Sequence, residues 1–381
     1  MVKAEQISEF LSERIAAGDF PSAVYLIGEK GRAGFSDALG LAVSGPETIA
    51  ATLDTIYDLA SLTKVLVTGL LCAKLLEKHE LQLDHPISRY FQEFASSDKS
   101  ETTIQQLLTH TSGFTAWKPF YLLTGDEVVS SYENKRGRVI ELIALEPLKN
   151  GPGTKVVYSD PNFLLLGFLI EKIFGARLDR IAANEIFQPL GLQNTFFSPP
   201  SKFRPVIAAS ERGNFYEKQT CAGSGYDVEG YSWRENVIWG EVHDGNAYFL
   251  DGAAGHAGIF SSAQETLKIA QQFLPGSTVL LKPETCRLFT TNMTEGLNES
   301  RSIAFELAAT ADSTASEALA KDSFGHLGFT GTSLWIEPGT ERIFILLTNR
   351  THAHELPFVN INSTRRQFHR LAINALNDLH T

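Results

Sequence analysis

Ser61-Leu62-Thr63-Lys64 constrains this chain most, because it runs straight into the largely apolar stretch Val65-Leu66-Val67-Thr68-Gly69-Leu70-Leu71-Cys72-Ala73. A polar entry followed by an apolar run predicts a buried helix, here from Ser61 to about Glu80. Residues three apart share a helix face, so the Ser61 hydroxyl and the Lys64 amine become neighbours. The start of a helix also leaves backbone N–H groups without partners, which favours a developing oxyanion. A serine needs a base to become a good nucleophile, and desolvation beside a helix start pushes a lysine pKa toward that role. The pattern predicts a Ser-x-x-Lys acyl-transfer site. Ser96-Ser97-Asp98-Lys99 repeats the spacing in polar sequence with no apolar helix behind it, and is read as incidental.

Composition removes several alternatives. A formal net charge of −11 with no basic stripe argues against a nucleic-acid partner. Three widely spaced cysteines, Cys72, Cys221 and Cys286, do not form a disulfide framework and suit a reducing compartment. Ile7, Phe10, Leu11 and Ile15 mark an amphipathic first helix rather than a signal core, and no apolar run has the length of a membrane span. The expectation is a soluble, cytoplasmic protein with no membrane partner. His352-Ala353-His354-Glu355 and His243-Asp244 lack zinc-site spacing, so neither a metal nor another cofactor is expected.

Ala23–Gly28 reads as a buried strand, followed by a turn at Glu29–Arg32 and a second strand ending near Gly40. Thr103-Ile104-Gln105-Gln106 carries a capping-box pattern, and Ser262-Ala263-Gln264-Glu265 caps another helix. His110, in a helix-end turn, is expected to be a hydrogen-bonded structural residue. The stretches 115–150 and 195–241 read as irregular cover over a site. Near the C-terminus, His326–Ile336 and Arg342–Asn349 read as a strand pair around Pro338-Gly339, before a last helix from about Thr364 to Leu379. Strands at both ends and helices between predict an α+β fold, with one sheet built from both termini. A single domain, 1–381, is expected, its α/β part at 1–60 and 265–381 and its helical part at 61–264.

At this point the chain resembles the serine β-lactamase and penicillin-binding-protein family, in its class C β-lactamase-like branch. Besides Ser61-Leu62-Thr63-Lys64, the resemblance rests on Leu81–Asp84, Gln106–Gly113, Pro152-Gly153, Gly255–Gly258 and Gly325–Gly331. It implies the β-lactamase/transpeptidase fold, with Ser61 as nucleophile and Lys64 as general base. Two stretches compete for the second motif, Tyr-x-Asn. Tyr132-Glu133-Asn134 fits the letters, while Tyr158-Ser159-Asp160 fits the context, following Pro-Gly and preceding an apolar helix. Tyr158 is preferred, and Tyr132 is read as a solvated loop residue. A neighbouring lysine cation favours the phenolate, so Tyr158 can take the Ser61 proton and protonate the leaving group.

His326-Leu327-Gly328 stands where the family usually has Lys-Thr-Gly. By the resemblance, Gly328 lets substrate approach, His326 orients substrate or supports Tyr158, and the backbone N–H groups of Ser61 and Phe329 form the oxyanion hole. Asp160 replaces the family's asparagine, and Leu327 a threonine whose hydroxyl helps bind the substrate carboxylate. These departures favour a serine hydrolase of esters or small amides. A β-lactamase or D-amino-acid peptidase is the alternative within the enzymes, and a non-catalytic binding protein the alternative outside them. The implied partner is a small-molecule ester, amide or β-lactam.

Overall fold

The computed structural model describes residues 3–124 and 131–379, so residues 125–130 of the expected cover lie outside the described residues. Ten strands are used below: β1 (Ser22–Glu29), β2 (Arg32–Val43), β3 (Ile49–Ala50), β4 (Tyr57–Asp58), β5 (Phe196–Phe197), β6 (Ile259–Ser261), β7 (Glu306–Leu307), β8 (Phe324–Leu327), β9 (Ser333–Glu337) and β10 (Arg342–Thr348). Seven of them form an antiparallel sheet in the order β3-β2-β1-β10-β9-β8-β7. The two termini meet at its centre, where Ala23 pairs with Thr348 and Glu29 with Arg342.

Both faces of the central strands are covered, and the period-two alternation sorts their side chains between two cores. Val24 and Leu26 of β1, with Ile343, Ile345 and Leu347 of β10, face the larger core shared with the helical region. Tyr25 and Ile27, with Phe344 and Leu346, face a smaller core closed by the terminal helices through Ile7, Leu11, Phe368 and Leu376. The helical region rests on the Asp160–Phe174 helix, buried along most of its length. It packs closely enough on the Asp251–Gly258 turn that a Cβ on Gly255 would lie 2.0 Å from the Phe163 carbonyl oxygen.

Four expectations change. The helix after Ser61 is not one regular element. It starts with i→i+3 bonds from Leu62, Thr63 and Lys64, widens to a π-helix over Lys64–Gly69, and is α-helical only from Leu70 to Glu77. The stretch read as a strand from His326 to Ile336 is two strands, because the chain reverses at Gly328–Thr332, where Gly331 adopts a φ of +110°. Within 195–241 lies a helix, Phe215–Gly223. Within 115–150 lies another, Tyr132–Leu145, whose Val139, Ile140 and Ile143 belong to the core.

Candidate active site

The site is built where the Ser61 turn, the Asp160–Phe174 helix and the end of β8 converge. Ala60, directly before Ser61, sits in the left-handed region at a φ of +47°, its N–H donating to Asp58 Oδ1 at 2.8 Å. Such strain persists where the surroundings over-determine it. Here the bend turns Ser61 toward a cavity of about 790 Å³ that is also lined by Tyr158, Asp160, His326 and Phe329. A larger hollow of about 1000 Å³, near Tyr121 and Tyr248, carries none of these side chains.

Lys64 is fully buried, and its Nζ donates to Ser61 Oγ at 3.0 Å and to the His256 carbonyl oxygen at 3.0 Å. Its third neighbour is Asp160 Oδ1, at 2.7 Å. Burial by itself would lower the Lys64 pKa, but Asp160 and then Tyr158 outweigh it and hold the group as an ammonium. Tyr158 is held by packing of its ring, with Lys64 Nζ 4.9 Å from the ring centroid and the His110 ring tilted against it at 4.6 Å. Its hydroxyl interacts with both Lys64 and Ser61. Burial raises the Tyr158 pKa and the lysine cation only partly offsets this, so the resting pair is ammonium and phenol.

The segment carrying Tyr158 is fixed by backbone pairing, since Gly153 and Val157 donate to the carbonyls of Thr111 and His110. His110 is hydrogen-bonded as expected, its Nδ1 accepting from the Ser159 N–H at 3.0 Å. That its ring would also pack against Tyr158 was not foreseeable from the helix-end turn alone. Ser159 caps the following helix without a side-chain bond, and Asp160 turns toward Lys64 rather than along the helix.

His326 Nδ1 donates to the Leu327 carbonyl at 2.8 Å, which leaves Nε2 as an acceptor, buried and without a partner among the described residues. Burial, then the charges of Lys64 and Arg301, depress its pKa far below the ordinary histidine value. The backbone N–H groups of Ser61 and Phe329 make no hydrogen bond to another backbone group among the described residues. Gly328 has no room for a side chain, because a Cβ would lie 1.9 Å from Thr332 Oγ1. Gly328 and Leu327 both line the cavity.

One further acidic group, Asp244, adjoins the site in a way the sequence did not reveal. Asp244 accepts from His256 Nε2 at 2.8 Å, and Asp160, Asp244 and His256 offer ligand atoms within 4.8 Å of one another. These atoms already have protein partners, Lys64 beside Asp160 and His256 beside Asp244. Tyr132, expected as a solvated loop residue, is buried, with its hydroxyl donating to Glu171 Oε1 at 2.7 Å. It lies away from the cavity because the Tyr132–Leu145 helix turns its first residue into the core. His243 and His352 are also structural: His243 Nε2 meets Glu211 at 2.8 Å, and His352 bridges Ser44 and Ser210. All three cysteines are buried and free. Among the described residues, no helix is long and apolar enough to cross a membrane.

The chain matches known proteins along almost its whole length. The Beta-lactamase family model matches residues 7–364, and the chain belongs to that family. A putative D-alanyl-D-alanine carboxypeptidase of Escherichia coli (strain K12) is 32% identical, the match covering 92% of this chain and 83% of that protein. An N-acetylmuramyl-L-alanine amidase of Bacillus subtilis (strain 168) is also 32% identical, over 92% of this chain and 81% of its own. Among solved structures, the hydrolase EstCE1, described as having promiscuous acyltransferase activity, superposes with a TM-score of 0.72 at 21% identity, covering 97% of this chain and 98% of its own. A class C β-lactamase from Rhodobacter sphaeroides superposes with a TM-score of 0.70 at 18% identity, each chain fully covered.

Proposed function

We propose that the protein is a serine hydrolase that works through an acyl-enzyme on Ser61, with carboxylic esters or small amides as its substrates. The observation that carries this reading is the 3.0 Å contact between Ser61 Oγ and Lys64 Nζ at the floor of a cavity, beside Tyr158. In acylation, Ser61 Oγ bonds to the substrate carbonyl carbon and gives its proton to Lys64 Nζ. Lys64 can accept it because, across the 2.7 Å ion pair, it passes one of its own protons to Asp160. The charge on the carbonyl oxygen falls to the N–H groups of Ser61 and Phe329. Tyr158 protonates the leaving oxygen or nitrogen and recovers its proton from Asp160 through Lys64. Water repeats the sequence on the acyl-enzyme to release the acid.

Hydrolysis of β-lactams or D-amino-acid peptides is the second reading, favoured by the carboxypeptidase and amidase names of its 32%-identical relatives. A fluorophosphonate label located by mass spectrometry tests the nucleophile, and turnover of esters, D-amino amides and β-lactams ranks the substrates. The adduct should fall on Ser61, and Ser61→Ala should lose at least about a thousandfold in ester turnover while staying folded. Full activity in that variant, or an adduct on Ser96 instead, defeats the proposal.

A further inference from the structure

We infer that both proposed oxyanion-hole N–H groups are strengthened from behind, through the carbonyls of their own peptide groups, and that Arg365 and Thr63 are the positioning residues responsible. The inference rests on the acyl-enzyme reading above. The Phe329 N–H shares a peptide group with the Gly328 carbonyl. That oxygen accepts twice, from the Gly331 N–H at 3.1 Å and from Arg365 Nη2 at 2.8 Å. The Ser61 N–H shares a peptide group with the Ala60 carbonyl, which also accepts twice, from Thr63 N–H at 3.0 Å and Thr63 Oγ1 at 2.7 Å. Thr63 Oγ1 in turn accepts from the Ile259 N–H at 3.1 Å, so its hydroxyl proton is committed to Ala60.

An amide that accepts at its oxygen is polarised and becomes a better donor at its nitrogen. Arg365 adds charge to this effect. It is buried on the Asn362–Leu379 helix, and its other bonds go to the Thr332 carbonyl at 2.9 Å and Asn362 Oδ1 at 3.0 Å. All three oxygens are neutral, so none cancels its positive charge, which lies on the far side of the Phe329 peptide from the proposed oxyanion. A fixed positive charge placed there favours negative charge on the substrate oxygen. The segments that carry the two peptides are also tied to each other: Thr330 Oγ1 donates to the Asp58 carbonyl at 2.7 Å and Thr332 Oγ1 to the Leu59 carbonyl at 3.1 Å. Arg350 completes the support by donating from Nε to the Phe329 carbonyl at 2.7 Å, while its guanidinium lies 4.9 Å from the Phe329 ring centroid.

Isotope-edited infrared spectroscopy of the acyl-enzyme, formed with an ester carrying ¹³C at its carbonyl, reads this polarisation directly. In Arg365→Met and in Thr63→Val the acyl carbonyl band should move to higher frequency. Turnover should fall by roughly tenfold or more, short of the ~100-fold loss from deleting a donor outright, with KM nearly unchanged. Arg365→Lys should recover part of both effects. Thr63→Val tests the same idea if Arg365→Met fails to fold. An unmoved band in folded variants whose urea midpoints have dropped would mean that these residues only brace the loop, and would overturn the inference. If the unsubstituted protein forms no acyl-enzyme on Ser61, the serine reading falls first and this inference with it.

Discussion

Lys64 Nζ lies 2.7 Å from Asp160 Oδ1, so the buried lysine beside Ser61 has a carboxylate as its counter-ion. An asparagine, which the resemblance implies at this position, would bring no charge to the lysine. Here a full negative charge holds it as an ammonium at rest. In the proposed mechanism the same carboxylate gives the displaced proton a destination during acylation. Asp160 is therefore expected to affect stability, proton traffic and substrate choice, and these separate experimentally.

Stability against pH tests the ion pair. The Lys64 pKa is raised in the folded protein, so its contribution is fully present below the ordinary lysine value and is lost only as pH rises through the raised one. Between pH 6 and 9 the pair should add no slope. In Asp160→Asn the counter-charge is gone and burial dominates, so Lys64 should titrate below its unfolded value. Stability should then be lower at pH 6 and rise with pH, by at most about 1.4 kcal/mol per unit. Urea midpoints at pH 6, 7.5 and 9 for both proteins measure this, and parallel flat profiles would contradict it.

Tyr158→Phe and Lys64→Ala should each lower turnover by about a hundredfold or more, and the double variant should be far less impaired than the product of the two. Tyr132→Phe should keep its turnover. It removes a buried hydrogen bond to Glu171, which costs about 1–3 kcal/mol and is readable in urea unfolding. Loss of turnover in Tyr132→Phe with stability intact would reverse the assignment of the second motif.

The His326 ring should remain neutral in the Nδ1–H form well below pH 6, because burial and two nearby cations disfavour a second proton. Nitrogen-15 chemical shifts of labelled histidine, assigned with His326→Gln, should show one protonated and one bare ring nitrogen from pH 8 to 5.5. Titration near the ordinary value would mean that Nε2 has an anionic neighbour which the geometry lacks.

The proximity of Ser61 and Lys64 was legible in a one-turn spacing before an apolar run, and Tyr158 was singled out by the resemblance, between a Pro-Gly turn and an apolar helix; the structure brings the three side chains together. The two-ended sheet was legible for a similar reason, since Ala23–Gly28 and Arg342–Asn349 are short apolar runs at opposite ends of the chain. The π-helical stretch from Lys64 was not, because it lies between a left-handed bend at Ala60 and a close approach of Gly69 to Ala304, neither of which leaves a pattern in the sequence. Arg365 escaped notice, and Asp244 was considered only as a metal ligand beside His243, because each reaches the site through tertiary contacts that leave no periodic trace. Tyr132 misled because the charged residues around it, Glu133, Lys135 and Arg136, hide a helix whose buried face begins with that tyrosine.

Substrate choice is the last consequence of Asp160. An asparagine can donate from its side-chain amide to a carbonyl on the acyl side of a β-lactam, whereas an ionised aspartate has only acceptors. Asp160 lines the cavity as well as pairing with Lys64, so its charge also opposes the carboxylate that penicillins and cephalosporins carry. Its orientation matters here: the side chain points at Lys64 and does not cap its helix. The natural protein should therefore turn over uncharged short-acyl esters well and cephalosporins poorly. Asp160→Asn should shift the ratio of kcat/KM values toward the β-lactam by roughly tenfold, the worth of one gained hydrogen bond. Steady-state kinetics of one ester and one cephalosporin on both proteins measures it. Efficient cephalosporin hydrolysis by the unsubstituted protein would count against the ester preference, and an unchanged ratio in Asp160→Asn would confine the aspartate to holding Lys64.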